Sequence, residues 1–270
     1  MLQTIRRCFF ALVIAAVAPG VVHAQTPATQ VGIVIMHGKG GSPTKHVSDL
    51  ASSLKGDGYL VANLEMPWSG SRNYDVSVGD GVKEIESALA GLRSQGAQKV
   101  FVAGHSQGGL FALHVGGKVA MDGVIAIAPG GNVASKDYRG KLGEYVDQAR
   151  AMIAEGKGDE KTRFYDYESS KGTYPIFTTP AIYVGWFDPD GAMNQSSAAA
   201  NVDSDVPVLY VGPTRDYPGL VRIKRTVFAA LPENSLHKLY EPDASHLEAP
   251  SASRDEIVRW IGDVLSAKKP

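Results

Sequence analysis

Residues 31–36 (VGIVIM) form an unbroken apolar run rich in β-branched side chains. That is the pattern of a strand buried on both faces, and it runs directly into the turn His37-Gly38-Lys39-Gly40-Gly41. Similar short apolar runs recur at 59–62, 99–103, 124–128, 206–211 and 236–240. Between them the period changes. Apolar residues at Val78, Val82, Ile85, Leu89 and Leu92 mark one face of a helix over 78–92, and further helices are expected at 107–118 and 254–265. Another is expected to begin near Ser42-Pro43, with proline in its first turn. Alternating strand and helix predicts an α/β protein, with a mostly parallel sheet of about six strands joined by crossover helices.

The alternation stops between about 130 and 205. This stretch carries a helical pattern over 142–153, then Tyr165, Tyr167, Tyr174, Phe177, Tyr183, Trp186 and Phe187. A long insertion in an α/β domain is expected to form a cap or lid over a site. Most of its aromatic residues should build its own core, with a few, Trp186 and Phe187 among them, facing substrate. Residues 25–270 therefore read as one domain with a cap insertion at 130–205.

The first 24 residues read differently. Arg6-Arg7 precedes an apolar run that Pro19-Gly20 ends, and Val22-His23-Ala24 supplies the small residue a signal peptidase accepts. The run is well short of the ~20 residues that span a bilayer. A cleaved signal over about 1–24 is expected, with export to the periplasm or medium and no stable membrane anchor afterwards. The paired arginines also fit a twin-arginine signal, so the export route stays open. Cys8 is the only cysteine and would leave with the signal, taking disulfides and thiol chemistry out of consideration.

The whole chain balances 27 Lys+Arg against 28 Asp+Glu, with 44% apolar residues. There is no basic stripe to neutralise phosphates, so a nucleic-acid partner is not expected.

The sharpest chemical signal is the strand 99–103 followed by Gly104-His105-Ser106-Gln107-Gly108-Gly109 and a helix. This is Gly-x-Ser-x-Gly in the strand-turn-helix setting the motif requires. The glycines leave room for a strained turn that lifts the Ser106 hydroxyl above the sheet, and the helix N-terminus offers unpaired N–H groups to a developing oxyanion. Ser106 is the candidate nucleophile. The glycine-rich turn after the first strand fits neither phosphate-binding spacing, and no His-Glu-x-x-His pattern is present; neither metal nor cofactor is implied.

With these motifs, the chain from Val31 onward resembles the α/β-hydrolase family. The resemblance implies an oxyanion hole made by the backbone N–H groups of Gln107 and of Lys39, or alternatively Gly38, with the side chains of both residues free to vary. It orders a catalytic triad as Ser, Asp or Glu, then His, with the base in the loop after the last strand, where His246 lies. The acid is expected after the strand at 206–211, where Gly212-Pro213-Thr214-Arg215-Asp216 supplies Asp216, one residue further from its glycine than is usual. Asp188 and Asp190 are reserves, although Trp186-Phe187-Asp188-Pro189-Asp190-Gly191 reads as a surface turn, and Asp216 has the alternative role of a helix N-cap. His37 and His105, in the two turns, join Trp186 and Phe187 as candidate substrate contacts. The family commonly has two further strands before the first one seen here, so the sheet is expected to be trimmed at that edge.

The implied reaction is acyl transfer to water from a small-molecule ester. A peptidase or amidase of the same fold is the alternative, with Glu144, Asp147, Glu155, Asp166 or Glu168 in the cap gripping a substrate amine. A non-catalytic binding protein is a third reading, which the three filled triad positions disfavour. The residues do not choose the substrate, the acyl length or the oligomeric state.

Overall fold

A computed structural model of the chain describes residues 28–169 and 171–267. The expected leader at 1–24, with Cys8, lies outside the described residues. The strands are β1 (Val31–Met36), β2 (Leu60–Leu64), β3 (Lys99–His105), β4 (Gly123–Ile127), β5 (Thr162–Glu168), β6 (Gly172–Thr178), β7 (Val208–Val211) and β8 (Lys238–Tyr240). Among the described residues, all but β5 and β6 form one six-stranded sheet in the order β2-β1-β3-β4-β7-β8. Every neighbouring pair in it is parallel.

The helices are α1 (Ser48–Gly56), α2 (Val78–Ser94), α3 (Gln107–Gly116), α4 (Lys136–Ala154), α5 (Pro180–Phe187), α6 (Gln195–Ala200), α7 (Pro218–Phe228), α8 (Ala249–Ala252) and α9 (Arg254–Ser266). Alternate residues of β1 feed two separate cores. Val34 and Met36 pack with Leu89 of α2 and Leu110 of α3 on one face, while Ile33 and Ile35 pack with Leu50 of α1 and Trp260 of α9 on the other. A strand clothed on both faces needs no polar alternation, so its unbroken apolar run is sufficient to identify it.

Several boundaries differ from the sequence expectation. The first helix begins at Ser48, not near Ser42-Pro43, because residues 42–47 form consecutive turns: Lys45 N–H donates to Ser42 and Val47 N–H to Lys45. His46, expected on that helix, instead sits in this turn with φ 54°. The strand expected at 206–211 begins at Val208, since Pro207 has no N–H to donate to the ladder.

The 130–205 segment holds α4, the β5-β6 hairpin, α5 and α6. The hairpin is antiparallel, with Asp166 opposite Tyr174. Phe164 and Asp166, two residues apart, are both fully buried on its inner face. Phe164 stacks on Tyr183 (ring centroids 4.3 Å apart), which stacks on Phe187 (4.5 Å). Trp186 meets Trp68 and Phe111 edge-on or tilted at 5.7 and 5.3 Å. The aromatic residues of this segment are thus continuous with the core on one face of the sheet.

Candidate active site

The site forms at the carboxyl ends of β3, β7 and β8, where a parallel sheet directs its loops to one edge. Ser106 is the junction between β3 and α3, with φ 55° and ψ −118°, a conformation an L-residue adopts only under strain. The flanking glycines are sterically required. A Cβ on Gly104 would stand 2.1 Å from the carbonyl oxygen of Gly108, and one on Gly108 would stand 2.7 Å from that of His37. The β1 turn also packs against Ser106: a Cβ on Gly38 would lie 3.1 Å from Ser106 Cβ.

Asp216 and His246 arrive together because the loops after β7 and β8 continue to pair beyond the strands. Gly212 N–H donates to Tyr240, Thr214 N–H to Pro242 and Arg215 N–H to Ala244, at 2.8, 2.9 and 3.1 Å. This extension accommodates the additional residue between Gly212 and Asp216. At its end His246 Nδ1–H donates to Asp216 Oδ1 at 2.7 Å, with both side chains buried. The proton on Nδ1 leaves Nε2 as the lone-pair face of the ring. Asp216 is not a helix cap: Tyr217 holds that position on α7, and its N–H donates to Asp216 Oδ1 at 2.6 Å. The reserve Asp188 is occupied elsewhere, accepting from Arg150 and from the Asp190 N–H in a surface turn.

The adjoining histidines serve the scaffold. His37 Nδ1–H donates to the Gly38 carbonyl at 2.7 Å, and its Nε2 accepts from Met66 N–H at 3.0 Å, which ties the β1 turn to the loop after β2. His105 Nε2–H donates to the His246 carbonyl at 2.9 Å, and the two rings lie 4.8 Å apart. Burial, reinforced by the neighbouring His246, pushes the His105 pKa down to about 3, so the ring is neutral. Trp186 donates its Nε1–H to the Val76 carbonyl. His37, His105, Trp186 and Phe187 are 1%, 2%, 1% and 3% exposed, so all four lie beneath the surface.

Although these two residues are expected to act through their backbone, the side chains of Lys39 and Gln107 are both engaged in hydrogen bonds. Lys39 Nζ is buried, 2.5 Å from Asp166 Oδ1 and 2.9 Å from the Tyr138 hydroxyl. Burial alone would depress the ammonium pKa, but the adjacent carboxylate outweighs it and holds the group well above its ordinary value. Asp166 also accepts from the hydroxyls of Tyr74 and Tyr174 at 2.8 and 2.9 Å, and from Tyr167 N–H at 2.6 Å. Gln107 Nε2 donates to the Tyr74 hydroxyl at 3.2 Å. Neither the Lys39 nor the Gln107 backbone N–H has an acceptor among the described residues.

Some residues beside the site carried no sequence signal. Tyr217, 42% exposed, places its ring 4.6 Å from that of His246. A Cβ on Gly130 would lie 3.4 Å from both Ser106 Oγ and Leu220 Cδ1, so the opening beside the hydroxyl is bordered by α7 and by the turn after β4. Chain order does not mark these neighbours; only the folded loops bring them together.

The family model described as the alpha/beta hydrolase family matches residues 33–260. Among solved structures, the chain is similar to the monoacylglycerol lipase of Paleococcus ferrophilus, with 21% identity, 86% of this chain and 94% of that one covered, and a TM-score of 0.62. It is also similar to a structure from the metagenome-derived lipolytic enzymes LipS and LipT (17% identity, 90% and 97% covered, TM-score 0.57). A third is Est1E of Butyrivibrio proteoclasticus with ferulic acid bound (17% identity, 85% and 89% covered, TM-score 0.55). No curated protein matches the sequence.

Proposed function

Since the chain belongs to the α/β-hydrolase family, we propose that it is an exported serine hydrolase of the carboxylesterase type, working through Ser106, His246 and Asp216 by way of an acyl-enzyme. The observation that carries this reading is the buried 2.7 Å hydrogen bond between His246 and Asp216 at the sheet edge where Ser106 stands. Asp216 fixes the ring so that Nε2 faces away from it, ready to take the Ser106 proton as Oγ attacks an ester carbonyl. The unclaimed N–H groups of Lys39 and Gln107 then receive the oxyanion. The leaving alcohol collects the proton from His246, and water repeats the cycle on the acyl group.

The gripping of a substrate amine, which the peptidase alternative needs, finds little support in the cap. Asp166 is committed to Lys39, and Asp147, Glu155 and Glu168 each have a cation beside them in Arg150, Lys157 and Lys171, which leaves exposed Glu144, without an ion pair among the described residues, as the carboxylate that reading would use. The test is hydrolysis of p-nitrophenyl esters of increasing acyl length, alongside aminoacyl p-nitroanilides, by the mature protein and by Ser106→Ala. Ester turnover lost in the variant is expected. Turnover of the anilides alone would transfer the site to the peptidase reading, and turnover of neither would return it to a binding role. Export rests on Arg6-Arg7 and the apolar run that follows; N-terminal sequencing of protein recovered from the periplasm or medium is expected to begin near residue 25.

A further inference from the structure

We propose that Asp166, in the cap, is a positioning residue for the oxyanion hole, holding the two residues whose backbone amides form it through a single buried carboxylate. The inference rests on the reading of Lys39 and Gln107 as the oxyanion donors. One oxygen of Asp166 receives the Lys39 ammonium at 2.5 Å and its neighbour's N–H at 2.6 Å. The other receives the hydroxyls of Tyr74 and Tyr174, and Tyr74 in turn receives Gln107 Nε2 at 3.2 Å. Lys39 and Gln107 belong to different turns, after β1 and β3, and the hydrogen bonds that link their side chains run through Asp166 and Tyr74.

The backbone around Lys39 makes such a tether consequential. Gly40 follows it at φ +59° and is pinned by its N–H to the Trp68 carbonyl at 3.0 Å, while Gly41 N–H closes back on the Gly38 carbonyl at 3.1 Å. The Lys39 N–H shares its peptide plane with the Gly38 carbonyl, which Gly41 N–H and His37 Nδ1–H hold, so the side-chain tie acts on where this whole turn stands against α3. The Gln107 amide is the first of α3 and has no intrahelical acceptor; its peptide plane is held through the Ser106 carbonyl, which accepts from Leu110 and Gly130 N–H at 3.0 Å, and the tie through Tyr74 sets that turn against the one after β1. Stability is a poor explanation for the pair, because the cost of desolvating two charges commonly cancels the attraction between them. What a fully satisfied buried network does secure is one arrangement of the groups attached to it.

A positioning role separates from a packing role in kinetics. Asp166→Asn keeps the shape but strands the Lys39 charge and is the variant most at risk of misfolding. The decisive protein is therefore the double variant Lys39→Met with Asp166→Asn, a neutral pair of similar shape that removes the tie without leaving a buried charge. Tyr74→Phe is the third variant and breaks only the link to Gln107.

With the best p-nitrophenyl ester, the double variant is expected to fold with a Tm close to that of the wild type. Its kcat should fall at least tenfold and its KM change less than twofold. The Ki of an alkyl boronic acid, whose tetrahedral adduct on the serine mimics the oxyanion, should rise in step with the loss in kcat. Tyr74→Phe should show the same split to a smaller degree. A double variant with wild-type kcat and boronic-acid affinity overturns the proposal, as does one whose whole loss lies in KM. Absence of ester turnover in the wild type instead overturns the esterase reading, so the two failures are distinct.

Discussion

The ring of His105 lies 4.8 Å from that of His246, and its Nε2–H donates to the His246 backbone carbonyl at 2.9 Å. The residue preceding the candidate nucleophile therefore holds the backbone of the candidate base. Its other ring nitrogen, Nδ1, is buried without a partner among the described residues, and the ring is neutral with its pKa pushed down to about 3 by burial and by His246.

That arrangement predicts an acid-sensitive fold. An unfolded histidine takes up a proton near pH 6.5, whereas buried His105 does not until about pH 3. Between those values the unfolded state binds more protons, so stability is lost as pH falls through this window, by up to about 1.4 kcal/mol per pH unit for this one group. Urea midpoints measured from pH 7.5 to 4 should decline in the wild type and decline less steeply in His105→Gln, which lacks the titrating ring. His114, also pushed down by burial to about 4, adds a parallel contribution in both proteins.

Replacing the acid tests the tautomer argument. Asp216→Asn preserves size but cannot hold the proton on His246 Nδ1 in the same way, so kcat should fall by roughly 10⁴-fold. A Tm shift of only a few degrees should accompany it. A loss under tenfold would show that the His246–Asp216 hydrogen bond does not serve the reaction.

The strained turn at Ser106 predicts a gain in stability where activity is lost. Ser106→Gly relieves a φ of 55° and should raise the unfolding free energy by about 1 kcal/mol, readable in a urea titration. Ser106→Ala retains the Cβ and with it the strain, so it should leave stability near the wild-type value. Both variants should be inactive on esters.

The elbow glycines are predicted to tolerate nothing larger. In Gly104→Ala the new Cβ would have to displace the Gly108 backbone, only 2.1 Å away, at a cost of about 3 kcal/mol or more. Gly91→Ala makes the control, because a Cβ there, in the interior of α2, meets nothing within 4 Å. Soluble yield and Tm should drop sharply in the first and hold or rise in the second.

Much of the sheet was legible in the chain because burial on both faces leaves a direct mark. An apolar run such as Val31–Met36 has no polar alternation to misread, and its strand limits agree with the pattern residue for residue. The β5-β6 hairpin was not legible. A strand whose inner face carries Phe164 and then Asp166 breaks the apolar alternation that would announce it. Turns were also poorly marked: the residues between β1 and α1 look like a helix start, yet their hydrogen bonds close local turns.

The sequence by itself determined the order of the six strands of the main sheet along the chain and the strained Gly-x-Ser-x-Gly turn, because hydrophobic period and glycine sterics act over a few residues. Through its resemblance to the α/β-hydrolase family it also pointed to His246 and Asp216, by their places after successive strands. Only the tertiary structure decided what the side chains of Lys39 and Gln107 do. Their common partner, Asp166, is remote in sequence, and a buried lysine and a buried aspartate look like any surface pair until the fold removes water from both. A charge has a partner chosen by three-dimensional proximity and by the cost of leaving it unpaired, and neither is written in the local pattern.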